Sequence, residues 1–441
     1  MIGLNKIGLN QVLLNRLRLN APFPAYGKMA GGGGSGDGFP QLPGDVTRWH
    51  FGGLTNEMMA AMDDPRIEDA DHKGRFLSFK NFAWKEGSGI SDVYPGALVF
   101  DGVDDYGTCD NFPILTKEKG YTVVALRQYL VDKSTAYLTA NGDSISNTSF
   151  ILEGNNYRDT WSFGKATTIQ ASRILATQTS KQYDGVKLNI GTNTEGSNLL
   201  QVGKWSKSYS NVAIWELVFL DHDATEEELT KIKDYFVKTY PWLFPDQAWT
   251  VTGKTNEDED RATIANITGN GNDLVLSNFG FAEGSGYNEE GEYAGYLVTD
   301  GVDDKITSST FEMGNDWTVI GDWELINTGK NDNAGIVKFD SIVIYNYNPI
   351  LINIKNGRNN LIPDQNTVNA ICSDGRIYSK DWKESIYNEE TESTSKNLLT
   401  IGYSGNSYTK IAFKNLAIYP TVLSKEDCIK AYNYLQTLKA K

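Results

Sequence analysis

At 441 residues the chain exceeds the roughly 250–300 residues at which a single core stops growing, so more than one domain is expected. A formal charge of −15 and a pI near 4.8 argue against a nucleic-acid backbone or an anionic membrane surface as partner, because both repel an acidic surface. Forty per cent hydrophobic and 12% aromatic content, with 43 glycines and 23 tyrosines, excludes a disordered chain and favours a turn-rich β protein.

The chain opens on a five-residue period, with Leu-Asn at 4–5, 9–10, 14–15 and 19–20. Ile2/Leu4, Ile7/Leu9, Val12/Leu14 and Leu17/Leu19 are pairs two apart, which point one way on short extended pieces while Asn turns the chain between them. An amphipathic helix is the other reading, weakened by the Gly and Asn content. So short a segment cannot bury that surface alone. Residues 1–30 are therefore expected to anchor the chain, on another copy of itself or on a scaffold. The run Gly31-Gly32-Gly33-Gly34-Ser35-Gly36, followed by Pro40 and Pro43, makes residues 31–44 a flexible linker. No basic flank with an apolar stretch and small-residue cleavage site is present, and nowhere do about 20 apolar residues run together. A soluble product of a cytoplasm, with no membrane partner, is expected.

Beyond the linker the sequence repeats. Trp49 and Thr55-Asn56-Glu57 return as Trp249 and Thr255-Asn256-Glu257. Asn81-Phe82-Ala83-Trp84-Lys85-Glu86-Gly87-Ser88-Gly89 returns as Asn278-Phe279-Gly280-Phe281-Ala282-Glu283-Gly284-Ser285-Gly286, and Asp101-Gly102-Val103-Asp104-Asp105 as Asp300-Gly301-Val302-Asp303-Asp304. Near each end, Asn211-Val212-Ala213-Ile214-Trp215 is matched to Asn415-Leu416-Ala417-Ile418-Tyr419. Capping boxes follow, Thr225 with Glu228 and Ser424 with Asp427, each opening a short helix with one apolar stripe. Two copies result, at 45–245 and 246–441. Between the landmarks, runs such as Tyr121–Leu126, Trp317–Ile320 and Ile342–Tyr345 are β-branched and aromatic and are punctuated by Asn-Gly turns. The predicted fold is mainly β: two tandem antiparallel β-sandwiches of jelly-roll type, each closed by a short amphipathic helix, behind an N-terminal anchoring segment.

Few residues carry recognisable chemistry. Cys109, Cys372 and Cys428 lie far apart and show no disulfide or metal spacing. His50, His72 and His222 are scattered. The triplets Asp101/Asp104/Asp105 and Asp300/Asp303/Asp304 offer hard oxygen ligands for a structural calcium ion, and equally suit a plain hairpin turn, in which Gly takes positive φ and Asp caps nearby amides. Trp84, Trp161, Trp205 and Trp382 could stack on sugar rings or fill a core.

The run Phe100-Asp101-Gly102-Val103-Asp104-Asp105-Tyr106, with Ile401-Gly402-Tyr403, Phe413–Tyr419 and Leu423-Ser424-Lys425-Glu426 late in the chain, resembles LamG-like domains of the concanavalin A-like lectin/glucanase superfamily. The second copy departs from it at Thr299, and the first at Val202-Gly203. The resemblance implies two curved antiparallel sheets that bind glycans or proteins more often than they catalyse. Its hydrolases carry a Glu-x-Asp-x-Glu strand that sets two carboxyls about 5–5.5 Å apart. That strand is absent here; the nearest acidic run, Glu257-Asp258-Glu259-Asp260, has no strand pattern, so no enzymatic activity is expected.

Anchor, tether and display domains in that order, together with residues 253–287, are similar to virion proteins of tailed bacteriophages, including the crAss-like group. This implies a head fibre, capsid decoration or tail-fibre component on the virion surface. Its partners would be other virion proteins through the N-terminal segment, host-surface glycans, and its own copies in a dimer or trimer. A bacterial carbohydrate-binding or adhesion protein, or a glycoside hydrolase or depolymerase, would be the alternatives.

Overall fold

A computed structural model describes residues 37–440 except 117, 132–136, 144–150, 154–173, 181–196, 327–334, 340–341, 346–350, 355–357, 362–367, 387–396 and 405–406. The N-terminal repeat, with Ile2, Leu4, Ile7, Leu9, Val12, Leu14, Leu17 and Leu19, lies outside the described residues, as does Trp161. From Val46 onward the chain builds two β-sandwiches, and every strand pairing within their sheets is antiparallel.

In the first sandwich one sheet runs, in spatial order, Leu175–Thr179, Thr122–Tyr129, Asn211–Leu220, Leu98–Asp101 and Gly89–Ile90, with Val46–His50 also paired to Asn211–Leu220. Facing it is a sheet of Arg66–Glu68, Phe76–Lys80, Tyr106–Cys109, Leu200–Val202, Tyr137–Asn141 and Ile151–Glu153. The second sandwich repeats the plan around the central strands Ile411–Tyr419 and Thr318–Leu325 in one sheet and Lys305–Phe311 and Asn397–Ile401 in the other. The fold class read from the sequence is what the structure has.

The two sheets of each sandwich have different fates, and their sequences show it. Thr122–Tyr129 and Asn211–Leu220 are buried along almost their whole length. Val123, Ala125, Leu217 and Phe219 fill the sandwich interior, while Val124, Leu126, Val218 and Leu220 face the other way into a second apolar cluster. That cluster contains the amphipathic helix Glu226–Thr239. It also contains Ile320, Ala370, Ala417 and Tyr419 from the second sandwich and the C-terminal helix Lys425–Gln436. One seam therefore seals the outer face of a sheet in each sandwich at once, and a strand buried on both faces reads as a continuous apolar run. The opposite sheets alternate instead. Phe76–Lys80 runs exposed, buried, half-buried, buried, half-buried, and Tyr106–Cys109 and Leu274–Ser277 also alternate, which marks a sheet with one face turned to solvent.

Thr122 and Thr318 tie this seam identically. The Thr122 hydroxyl donates to the His222 carbonyl and accepts from the Ala224 N–H, as Thr318 does with Thr421 and Leu423. Thr122 lies opposite Leu220, and Thr318 opposite Tyr419. Tyr419 is thus the counterpart of Leu220 and not of Trp215, which corrects the sequence match of 211–215 with 415–419. A β-bulge at Trp215 and at Lys414 skips one residue in each last strand, and the similar Asn-x-Ala-Ile-aromatic run simply recurs out of register.

Both helix caps form. Thr225 accepts from Glu228 N while the Glu228 carboxylate takes Thr225 N–H, a complete box. Asp427 is one methylene shorter, and its carboxylate takes the Ser424 hydroxyl instead.

Candidate functional site

The repeated motifs converge at one end of each sandwich. Asp101 Oδ1 accepts the amides of Val103, Asp104 and Asp105 at 2.7, 3.2 and 3.4 Å, and Asp300 Oδ1 those of Val302, Asp303 and Asp304 at 2.7, 3.2 and 3.3 Å. Asp105 and Asp304 reach back to the amides of Asp101 and Asp300. Asn81 and Asn278 hold the same loops by donating to the carbonyls of Asp104 and Asp303, and do so from left-handed backbone with φ of 69° in both copies. Asparagine tolerates that region because its short side chain bonds locally.

Asn56 and Asn256 were read only as landmarks, yet each closes the neighbouring loop with two hydrogen bonds of 2.8 Å, to the N–H and C=O of Ile90 and of Tyr287. Gly89 shows why the motif ends in glycine: at φ +147°, a Cβ there would sit 2.3 Å from Asn56 Oδ1. Replacing Asn56 or Asn256 by Ala is expected to cost about 1–3 kcal/mol, since two backbone groups lose their partner at once. Chemical denaturation of each single variant checks this; a loss below a few tenths of a kcal/mol would make the motif dispensable.

The acidic triplets are brought together, with one carboxylate oxygen from each residue within 4.8 Å of the others in both copies. Asp105 and Asp304 are fully buried, with the Ser88 and Ser285 hydroxyls beside them. Burial, reinforced by the two neighbouring carboxylates, pushes each carboxyl up to about 6. At the loop tips Val103 and Val302 are each 71% exposed.

Beside these loops a second repeated cluster joins each solvent-facing sheet to a two-stranded ribbon, Lys204–Trp205 with Ser208–Tyr209 in the first sandwich and Tyr403–Ser404 with Ser407–Tyr408 in the second. Lys204 Nζ lies 4.0 Å from the Tyr106 ring centre and 5.2 Å from that of Tyr209, with the two rings 6.2 Å apart. In the second sandwich Lys305 lies 5.9 Å from Tyr403, whose ring is 5.0 Å from Tyr408. Tyr106 aligns with Lys305, and Lys204 with Tyr403, so cation and ring have exchanged strands while the contact survives. All six side chains are half-buried. This cluster escaped sequence reading because no single motif contains it.

Other candidates resolve into structure. Trp84 stacks on Phe82 at 5.0 Å against the core, Trp205 is buried, and Trp382 packs edge-on to Tyr432. Asp258 in the acidic run caps Thr255, and Asp260 pairs with Lys254. His222 bridges Asp221 and Glu228, His72 pairs with Glu68, and burial lowers His50. A cleft of 210 Å³ at the seam is lined mainly by apolar residues, among them Ile174, Val237, Phe244, Ile267 and Tyr434. No helix among the described residues is long and apolar enough to cross a membrane.

No family model matches the chain, and no curated protein does. Among solved structures it is similar to Trypanosoma rangeli sialidase in complex with sialic acid, at 8% identity and a TM-score of 0.33 over 84% of this chain and 68% of that one. It is also similar to the botulinum neurotoxin serotype D binding domain, at 9% identity and a TM-score of 0.27 over 81% and 95%. These likenesses are too distant to carry an activity. With sialidases among the similar structures, the expectation of no enzymatic activity is withdrawn and not carried further.

Proposed function

We propose that the chain is a structural protein of a tailed-bacteriophage virion that attaches to the particle through residues 1–30, as a dimer or trimer, and presents its two sandwiches to host-surface glycans. The observation that supports this reading is the division of labour between sheets. In each sandwich one sheet is consumed by the shared seam, while the other turns an alternating face outward, where a lysine–tyrosine–tyrosine cluster bridges it to a neighbouring two-stranded ribbon. Tyrosine rings offer flat apolar area to sugar C–H groups and a hydroxyl to their polar edge. Two such faces on one chain, multiplied by oligomerisation, turn weak contacts into useful avidity.

Two comparisons on particles of the phage that encodes the chain test the proposal. Full-length protein is expected to remain particle-bound, and a chain lacking residues 1–36 to be lost. The paired changes Tyr209→Ala and Tyr408→Ala are expected to reduce adsorption to host cells roughly 30-fold, from about 1 kcal/mol lost at each site. Retention of the truncated chain would remove the anchor, and undiminished adsorption would remove the glycan-facing role of these sheets.

A further inference from the structure

Of the three cysteines, two that are distant in sequence meet in space. Cys372 ends the strand Val368–Cys372 opposite Thr318, and Cys428 lies in the first turn of the C-terminal helix. Both are fully buried in the seam cluster, and their thiols hydrogen-bond to each other. Three further contacts hold the site: Thr318 Oγ1 lies 3.7 Å from Cys372 Sγ, Leu423 N–H donates to Thr318 at 2.9 Å, and Arg376 donates to the Leu423 carbonyl at 3.0 Å.

The first sandwich supplies an internal comparison. Thr179 lies opposite Thr122 as Cys372 lies opposite Thr318, and Leu229 aligns with Cys428 in the matching helix. The first copy thus has Thr and Leu where the second has two cysteines in contact. Neither thiol is required by the fold, and both occur together.

We propose that Cys372 and Cys428 form a redox pair that closes to a disulfide and fastens the C-terminal helix to the sheet beneath it. With a small disulfide such as oxidised glutathione as oxidant, admitted to the buried pair by local opening of the seam, the Cys372 thiolate attacks the glutathione sulfur and releases one glutathione. Cys428 sulfur then displaces the second, so two electrons pass to the glutathione disulfide and both thiol protons end on the two released glutathiones. Cys372 suits the first step: the Cys428 thiol donates to it and the Arg376 guanidinium favours its thiolate, holding it below the usual thiol value, whereas Cys428 is raised. The helix that becomes tethered is the one that crosses the seam, through Tyr434 on Trp215 and Lys430 on Trp242. Oxidation therefore stiffens the joint between the sandwiches.

The test treats the reduced full chain with oxidised glutathione, alkylates the remaining thiols and weighs the product. One alkylated thiol, on Cys109, and a peptide joining Cys372 to Cys428 are expected, together with a midpoint of thermal unfolding raised by roughly 5–10 °C and reversed by dithiothreitol. Cys372→Thr and Cys428→Leu, the residues the first copy carries, should fold and lose both the crosslink and the shift. Three alkylated thiols, a stable glutathione adduct, or a crosslink through Cys109 would each overturn the pair.

Discussion

Replacing Arg48 by Met is expected to destabilise the first sandwich by about 3–5 kcal/mol, lowering its unfolding midpoint by roughly 10–15 °C. Arg48 and Glu216 are both fully buried and paired at 2.9 Å, with Tyr240 donating to the other Glu216 oxygen at 2.7 Å and Asp37 closing on the guanidinium from the linker. Phe39 and Tyr235 flank the cation. Removing Arg48 strands a carboxylate that cannot reach water. Burial already raises Glu216, and Arg48 and Tyr240 oppose the rise. Without the cation its folded-state value climbs further above the unfolded one, so the variant's stability is greatest at low pH and is lost as pH rises through that value. Denaturant titrations at pH 5 and pH 8 should show the larger loss at pH 8.

Removing both charges tells a different story. Arg48→Met with Glu216→Leu should recover most of the loss, because the pair's attraction mainly offsets its own desolvation. The second sandwich is a natural precedent: its counterparts of Arg48 and Glu216 are Ala248 and Asn415, set opposite Ala417 and Thr250. If the double variant is as unstable as the single one, the pair is an indispensable part of the first core. That outcome would also show that the linker residues Asp37 and Phe39 depend on it for their seat.

What was legible in the sequence was whatever both copies need for local reasons. Trp49 and Trp249 occupy equivalent interior positions and donate to the carbonyls of Arg75 and Asn272. Thr225 and Ser424 cap helices, and the two-sided strands announce themselves as unbroken apolar runs. What could not be read was non-local. Arg48 and Glu216 are 168 residues apart, and nothing near either predicts the other. Cys372 and Cys428 looked unrelated because a strand and a helix bring them together. The last-strand register was misread because the same Asn-x-Ala-Ile-aromatic run recurs further along the strand in the second copy. The open-face cluster was hidden because Lys and Tyr changed places between copies.

Unfolding midpoints of the intact chain are expected to fall by several degrees between pH 4.5 and pH 7.5, with Asp105 and Asp304 as the cause. Each is buried beside two other carboxylates and sits at about 6 in the folded state, against 3.8 when free. Protons are therefore held more tightly by the folded chain. The stability contributed is fully present below about 3.8 and disappears as pH rises through about 6. Two units correspond to about 3 kcal/mol per site as an upper bound, and solvent near the loop reduces this to about 1–2 kcal/mol. Asp105→Asn and Asp304→Asn keep an oxygen for the amides of Asp101 and Asp300 while removing the charge, so the double variant should be more stable at pH 7.5 and nearly flat across the range. A titration with millimolar CaCl₂ at pH 7.5 then separates the two roles of the triplets. A midpoint that climbs with calcium in the native chain but not in the Asn variant assigns them as ligands, because a dication replaces the proton as the compensating charge. A midpoint that ignores calcium, with the pH slope intact, leaves them as turns whose buried carboxylate is neutralised by protonation alone.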